Sequence, residues 1–170
     1  MIRFALPSLT ALALVLSAGL VLAQGTQGTA VGFGGLRQDP AAPVEVTADA
    51  LTIDQAAGHA VFDGNVLVVQ GALRLTAARV EVEYGDSGQG IRQLNATGGV
   101  TLVTTAEAAE SREATYEVGS GALVMSGEVL LTQGQATISG ERLVADLRAG
   151  TGRMEGRVKT VFQPGTKSGN

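Results

Sequence analysis

Between Val44 and Gln163 the chain runs for 120 residues without a proline, and this feature restricts its fold more than any other. Proline has no backbone N–H to give to a strand ladder. Pro7, Pro40, Pro43 and Pro164 all lie outside the block, so sheet can run through it uninterrupted. Sixteen of the 24 glycines fall inside it, spaced as turns between short strands require. Alternation of period two is legible there. Val44 and Val46 flank Glu45, and Leu51 and Ile53 alternate with Thr52 and Asp54. Leu73 and Leu75 bracket Arg74, while Val80, Val82 and Tyr84 alternate with Arg79, Glu81 and Glu83. Such patterning puts one apolar face inside and one polar face in water. β-Branched content favours strand over helix for Leu73–Tyr84. Glu107–Glu113 is ambiguous, because Ala and Glu are helix formers, and strand is expected from Ala114 to Val118.

The block also repeats itself. Phe62-Asp63-Gly64-Asn65-Val66-Leu67-Val68-Val69-Gln70-Gly71 recurs as Met125-Ser126-Gly127-Glu128-Val129-Leu130-Leu131-Thr132-Gln133-Gly134, at an offset of 63 residues. The offset holds without a gap from Thr52/Thr115 to Arg79/Arg142, with nine of 28 pairs identical. Shorter Gly-x-Val steps begin at Gly64, Gly98, Gly127 and Gly156. The expectation is an all-β, elongated, open-ended roll of many short antiparallel strands with a two-fold internal repeat. The first strand, expected from Val44 to Thr47, and the last, expected from Arg157 to Phe162, leave unpaired edges at the open ends, which are either covered or used to pair with other chains.

Arg3, the apolar stretch Phe4 to Leu22 and Val21-x-Ala23 before Gln24 read as a signal peptide over residues 1–23. A retained membrane anchor is the alternative, since about 20 apolar residues span a bilayer. Residues 24–43, rich in Gly, Gln, Thr and Ala, read as a flexible leader. The domain is expected over 44–163, with a disordered tail at 164–170. The expectation is a mature chain that begins at Gln24 and resides in the periplasm. Lack of cysteine excludes disulfides, thiolate metal sites and a lipidated N-terminal cysteine. The net charge is −4, Lys159 and Lys167 are the only lysines, and no basic cluster appears, which argues against nucleic acid as a partner.

Catalytic patterns are nearly absent. His59, the single histidine, stands in a turn-like run, with no second histidine or cysteine to complete a metal site or a cysteine dyad. Glu81 and Glu83 share a strand face with Arg79 and read as a solvated surface more readily than as an acid/base pair. The glycines punctuate strands and open no phosphate-binding loop. Neither an enzyme, a cofactor nor a metal is expected. The apolar parity is more informative. With the repeat, it places Val44, Val46, Ile53, Phe62, Val66, Val68, Leu102, Tyr116, Val118, Met125, Val129 and Leu131 on one inward side. They form either an ordinary closed core or, since only four aromatic residues lie in the block, the lining of a groove that admits acyl chains.

Pro43-Val44-Glu45-Val46-x-Ala48-Asp49, followed by Gly64-Asn65-Val66-x-Val68-x-Gln70-Gly71, resembles the opening of the LptA/OstA-like family. Ala77-Ala78-Arg79-Val80, Tyr116-Glu117-Val118 and Leu123-Val124-Met125-Ser126-Gly127 resemble its later steps, so the likeness runs from about Val44 to Phe162. The resemblance implies a bent β-jelly-roll that binds the lipid A part of lipopolysaccharide inside. It implies a soluble bridge joining inner-membrane and outer-membrane partners of like fold through edge strands, with room for identical copies to stack head to tail. By position the lipid-facing residues would be Val44, Val46, Ile53, Phe62, Leu102, Tyr116 and Val118. Two other readings stay open: a membrane-anchored LptC-like relative, and a structural β-repeat protein with a solid core.

Overall fold

A computed structural model describes residues 28–32, 42–85 and 90–163 of the chain. The expected signal peptide and tail lie outside the described residues. The elements are β1 (Thr29–Gly32), β2 (Val44–Thr47), β3 (Ala50–Asp54), β4 (His59–Gln70), β5 (Leu73–Tyr84), β6 (Ile91–Val103), β7 (Glu107–Glu117), β8 (Ala122–Gln133), β9 (Ala136–Asp146), β10 (Thr151–Glu155) and β11 (Lys159–Phe162). Among the described residues there is no helix. All eleven strands join one antiparallel sheet in the order β1-β10-β9-β8-β7-β6-β5-β4-β2, with β3 also on β4 and β11 also on β9. The fold is the all-β architecture that the proline-free block implies.

Strands β4 to β9 form a meander, and each is broken near its middle. Between β4 and β5 the register jumps from Asp63↔Arg79 to Val66↔Ala77, so Gly64 and Asn65 oppose Ala78 alone. The same two-against-one bulge recurs between β6 and β7 at Thr97/Val100 and between β8 and β9 at Ser126/Val129. A bulge bends its strand, and a row of them across a sheet folds the sheet over on itself. The result is two half-sheets whose inner faces pack together. Tyr116 Oη, on one side of the bulge row, donates to Gln70 Oε1 on the other at 2.9 Å. Two strands separate β4 from β7 in the sheet, so only face-to-face packing brings those side chains together.

Glycine makes the bend possible. Gly98 has φ 84° and Gly127 has φ 83°, a region open to glycine and costly for residues with a Cβ. A Cβ on Gly98 would also lie 2.6 Å from that of Ala78 on β5. Where the residue after the glycine carries a side chain, it ties to the neighbouring strand or, for Asn65, to the bend between β2 and β3. Asn65 Nδ2 donates to Asp49, Glu128 pairs with Arg112 at 2.5 Å, and Arg157 pairs with Glu141 at 2.9 Å. Shifted by 63 residues, the bounds of β4 fall on those of β8, and Gly64-Asn65 falls on Gly127-Glu128, all four at positive φ.

Two expectations need correction, and one open reading is resolved. The leader was expected to carry no element, yet Thr29–Gly32 forms β1 and pairs with β10, from Thr29↔Met154 to Gly32↔Thr151. Glu107–Glu113 is strand throughout, because pairing on both sides of β7 overrides helix propensity. The last strand begins at Lys159, not Arg157, because Gly156 and Arg157 both have positive φ and turn the chain first.

Candidate functional site

Strands β2 and β3 follow one another in the chain but lie on different half-sheets. β2 pairs with Leu67–Gln70 and β3 with His59–Asp63, on either side of the β4 bulge. Between them the Asp49 N–H donates to the Gly64 carbonyl at 2.9 Å, and the Asp49 carboxylate accepts from Asn65 at 2.8 Å, which pins the crossing. Both strands are terminal rungs: no described strand lies beyond either.

Their inward side chains therefore have a neighbour on one flank only. Register fixes which side chains those are. Val46 is opposite Val68, Leu51 opposite Phe62, and Ile53 opposite Ala60, whose own partner on β5 is the buried Val82. Leu51 is 51 % exposed and Ile53 57 %, although both face inward. Val44, Val46, Ala48 and Phe62 are partly buried and pack against the core edge. An open concavity of about 370 Å³ lined by Val46, Ala48, Leu51 and Phe62 marks the mouth between the half-sheets.

All twelve inward positions named from parity fall on the inner side, in three settings. Val66, Val68, Leu102, Tyr116, Met125, Val129 and Leu131 are buried in the middle of the roll. Val44, Val46, Phe62 and Val118 are partly buried at its margins, and Ile53 is exposed at the mouth. Leu51 was missing from the set despite its alternation with Ile53. Tyr84, Ile91 and Val158, which also pack against the core, were missing too. The interior is not wholly apolar. Gln70, Ser111 and Glu107 are buried, and Gln133 Nε2 donates to Glu107 Oε1, while Glu107 Oε2 has no partner among the described residues. Burial pushes the Tyr116 hydroxyl above its ordinary pKa of 10.0, against a smaller opposing effect from Arg148.

The far end of the sheet is asymmetric. On one half-sheet β11 is the last described rung, with Val161 46 % and Phe162 75 % exposed. On the other, β10 is covered by β1, whose Val31 is buried against the core.

The polar candidates are brought together differently. His59 opens β4 and lines an open cavity of about 850 Å³ with Ile53, Asp54, Glu81, Glu83 and Arg92. Glu83 is taken up by an ion pair with Arg92 and a hydrogen bond from Asn95, and Arg79 grips Asp63 through both carboxylate oxygens. Among the described residues no group of three or more His, Asp and Glu side chains is arranged to hold a metal ion.

Comparison with known proteins agrees with this geometry. The family described as LptA/(LptD N-terminal domain) LPS transport protein matches residues 45–151. An uncharacterised protein of Rhizobium meliloti (strain 1021) is 26 % identical over 155 residues, covering 85 % of this chain and 83 % of that protein. Among solved structures, LptH, the LptA homologous periplasmic component of the conserved lipopolysaccharide transport device from Pseudomonas aeruginosa, superposes with a TM-score of 0.67 at 22 % identity. The match covers 75 % of this chain and 99 % of that one. That likeness supports the fold.

Proposed function

This chain belongs to the LptA/(LptD N-terminal domain) LPS transport protein family, a family of lipopolysaccharide transport proteins and not of enzymes, and from that premise we propose that it carries the lipid A acyl chains of lipopolysaccharide between its half-sheets in the periplasm. The observation that supports this is the mouth. Leu51 and Ile53 face inward and stay half exposed, beside Val44, Val46 and Phe62. Each buried methylene is worth about 0.8 kcal/mol, so a multi-acyl lipid needs a continuous apolar path across an aqueous compartment. The mouth offers the first stretch of such a path, and the Val/Leu/Met-lined interior behind it the rest. Acyl chains entering there part the half-sheets, because the middle is closed. The sugars remain in solvent.

Partners of like fold at the inner and outer membranes would prolong the path by pairing with the terminal rungs, and identical copies would stack head to tail in the same way. The test is photo-crosslinking in cells from a probe at Ile53 or Phe62, with the exposed Glu110 on β7 as control. Lipopolysaccharide should attach at the first two positions and not at the third. Equal labelling at all three, or none at Ile53 and Phe62 in folded protein, would falsify the groove. The closed middle favours a second reading, a structural roll with a solid core; failure to bind any amphiphile would support it. Mass spectrometry separates export from anchoring: a mature chain beginning at Gln24 supports export.

A further inference from the structure

Strand β1 precedes β2 in the chain yet lies at the opposite edge of the sheet, eight strand-to-strand steps away. At about 4.8 Å per step the separation is about 38 Å along the sheet. Twelve Cα-to-Cα steps join Gly32 to Val44. Such a length reaches about 40–43 Å fully drawn out and about 20 Å when relaxed. Holding β1 on β10, at the far edge of the sheet from β2, opposes chain entropy.

What holds β1 in place is slight. It has four residues, of which Val31 alone is buried, and its last carbonyl, on Gly32, accepts from Gln133 Nε2. Its position also unbalances the end of the sheet. Without β1 the two half-sheets end level, β10 and β11 each lying directly on β9, just as β2 and β3 each lie directly on β4 at the other end. The lengths match as well: β10 and β3 have five residues each, β11 and β2 four each. With β1 present, one half-sheet ends a strand later than the other, and a second copy's level β2/β3 end cannot meet both rungs at once.

We propose that β1 is a guard strand: it covers the β10 edge in the single molecule and is displaced when β3 of a second copy pairs with β10 while β2 pairs with β11. The inference rests on the head-to-tail reading above and adds a gate to it. Covering an edge with a short strand is a recognised protection against unwanted pairing. A strand held this weakly yields to a five-residue competitor that also buries Leu51 and Ile53.

The chain has no cysteine, so one engineered pair can lock the guard. Ala30 and Arg153 are register partners on β1 and β10, at a spacing that suits a disulfide. The combined variant A30C/R153C should stay monomeric in analytical ultracentrifugation when oxidised and associate like wild type once reduced. Val31→Asp, which dislodges β1, should associate about tenfold more tightly than wild type, because the competent state no longer needs opening. Oxidised A30C/R153C that is linked within one chain yet assembles as well as wild type would overturn the guard while leaving head-to-tail stacking intact. A ladder of copies linked through the disulfide would mean that β1 is exchanged, not released, and would also overturn it. Absence of assembly by wild type and Val31→Asp alike would remove both readings.

Discussion

The middle of the roll and its N-terminal mouth are made of the same residue types in the same alternation, yet they differ completely in exposure. In the middle, Leu75, Leu94, Leu102, Leu123, Met125, Leu131 and Leu143 face a full opposing half-sheet and are buried. At the mouth, Leu51 and Ile53 occupy equivalent inward positions and remain half exposed, because no described strand continues the sheet beyond β3. Burial here depends on how many rungs flank a position, not on the side chain at it. The middle supplies stability, and the mouth keeps apolar surface available to something other than the chain itself.

The sharpest way to break this comparison is to truncate one residue of each kind. Leu131→Ala should lower stability by about 3 kcal/mol, through lost burial and a cavity that close packing cannot fill, whereas Ile53→Ala should lower it by less than about 0.5 kcal/mol. Urea unfolding measures both, and equal losses would mean that the mouth is closed in solution. The bulge row, which both regions share, comes next. Gly98→Ala combines positive φ with a Cβ 2.6 Å from that of Ala78 and should cost about 2–3 kcal/mol. Gly99→Ala, at φ 86° but with open space around it, should cost about 1 kcal/mol, which separates backbone strain from crowding in the same assay.

A smaller effect is expected where the half-sheets touch. Tyr116→Phe leaves Gln70 Oε1 buried without its donor and should cost about 1–2 kcal/mol. Because burial raises the Tyr116 pKa, the folded protein holds that proton longer than the unfolded chain. The stability from the neutral phenol is complete below the ordinary tyrosine value of about 10 and is lost as pH rises through the higher folded value. Wild type should therefore lose thermal stability above about pH 10 more steeply than Tyr116→Phe. Smallest of all, Arg112→Ala removes an exposed pair with Glu128 and should change stability by no more than about 0.5 kcal/mol. A larger loss would show that the outer clips, and not the inner faces, hold the bend.

Much of this was legible in the residues. Alternation at Val44-Val46, Leu51-Ile53 and Val80-Val82 named strands and faces correctly, because side-chain direction in a pleated strand is a local property. The bulges were half legible. Gly64 and Gly98 stood out as repeated corners, whereas Ala78, Arg112 and Glu141, the single residues opposite the bulges, carry no mark, since a bulge belongs to a pair of strands and not to one. β1 was invisible, for four residues with one inward apolar side chain make no period. Leu51 was visible as a strand residue, but nothing near it in the chain tells an inward position in the middle from one at the mouth.

By itself, then, the sequence determined the class, the strands, the inward parity and the glycine corners, all of which follow from backbone sterics and the two-residue repeat of a strand. The tertiary structure alone decided which inward residues are sealed, which edge stays bare and which edge the chain covers with its own N-terminal strand. Those outcomes depend on pairings between residues more than 100 positions apart, such as Thr29 with Met154, and no local pattern encodes how many neighbours a strand will have once the sheet has folded over.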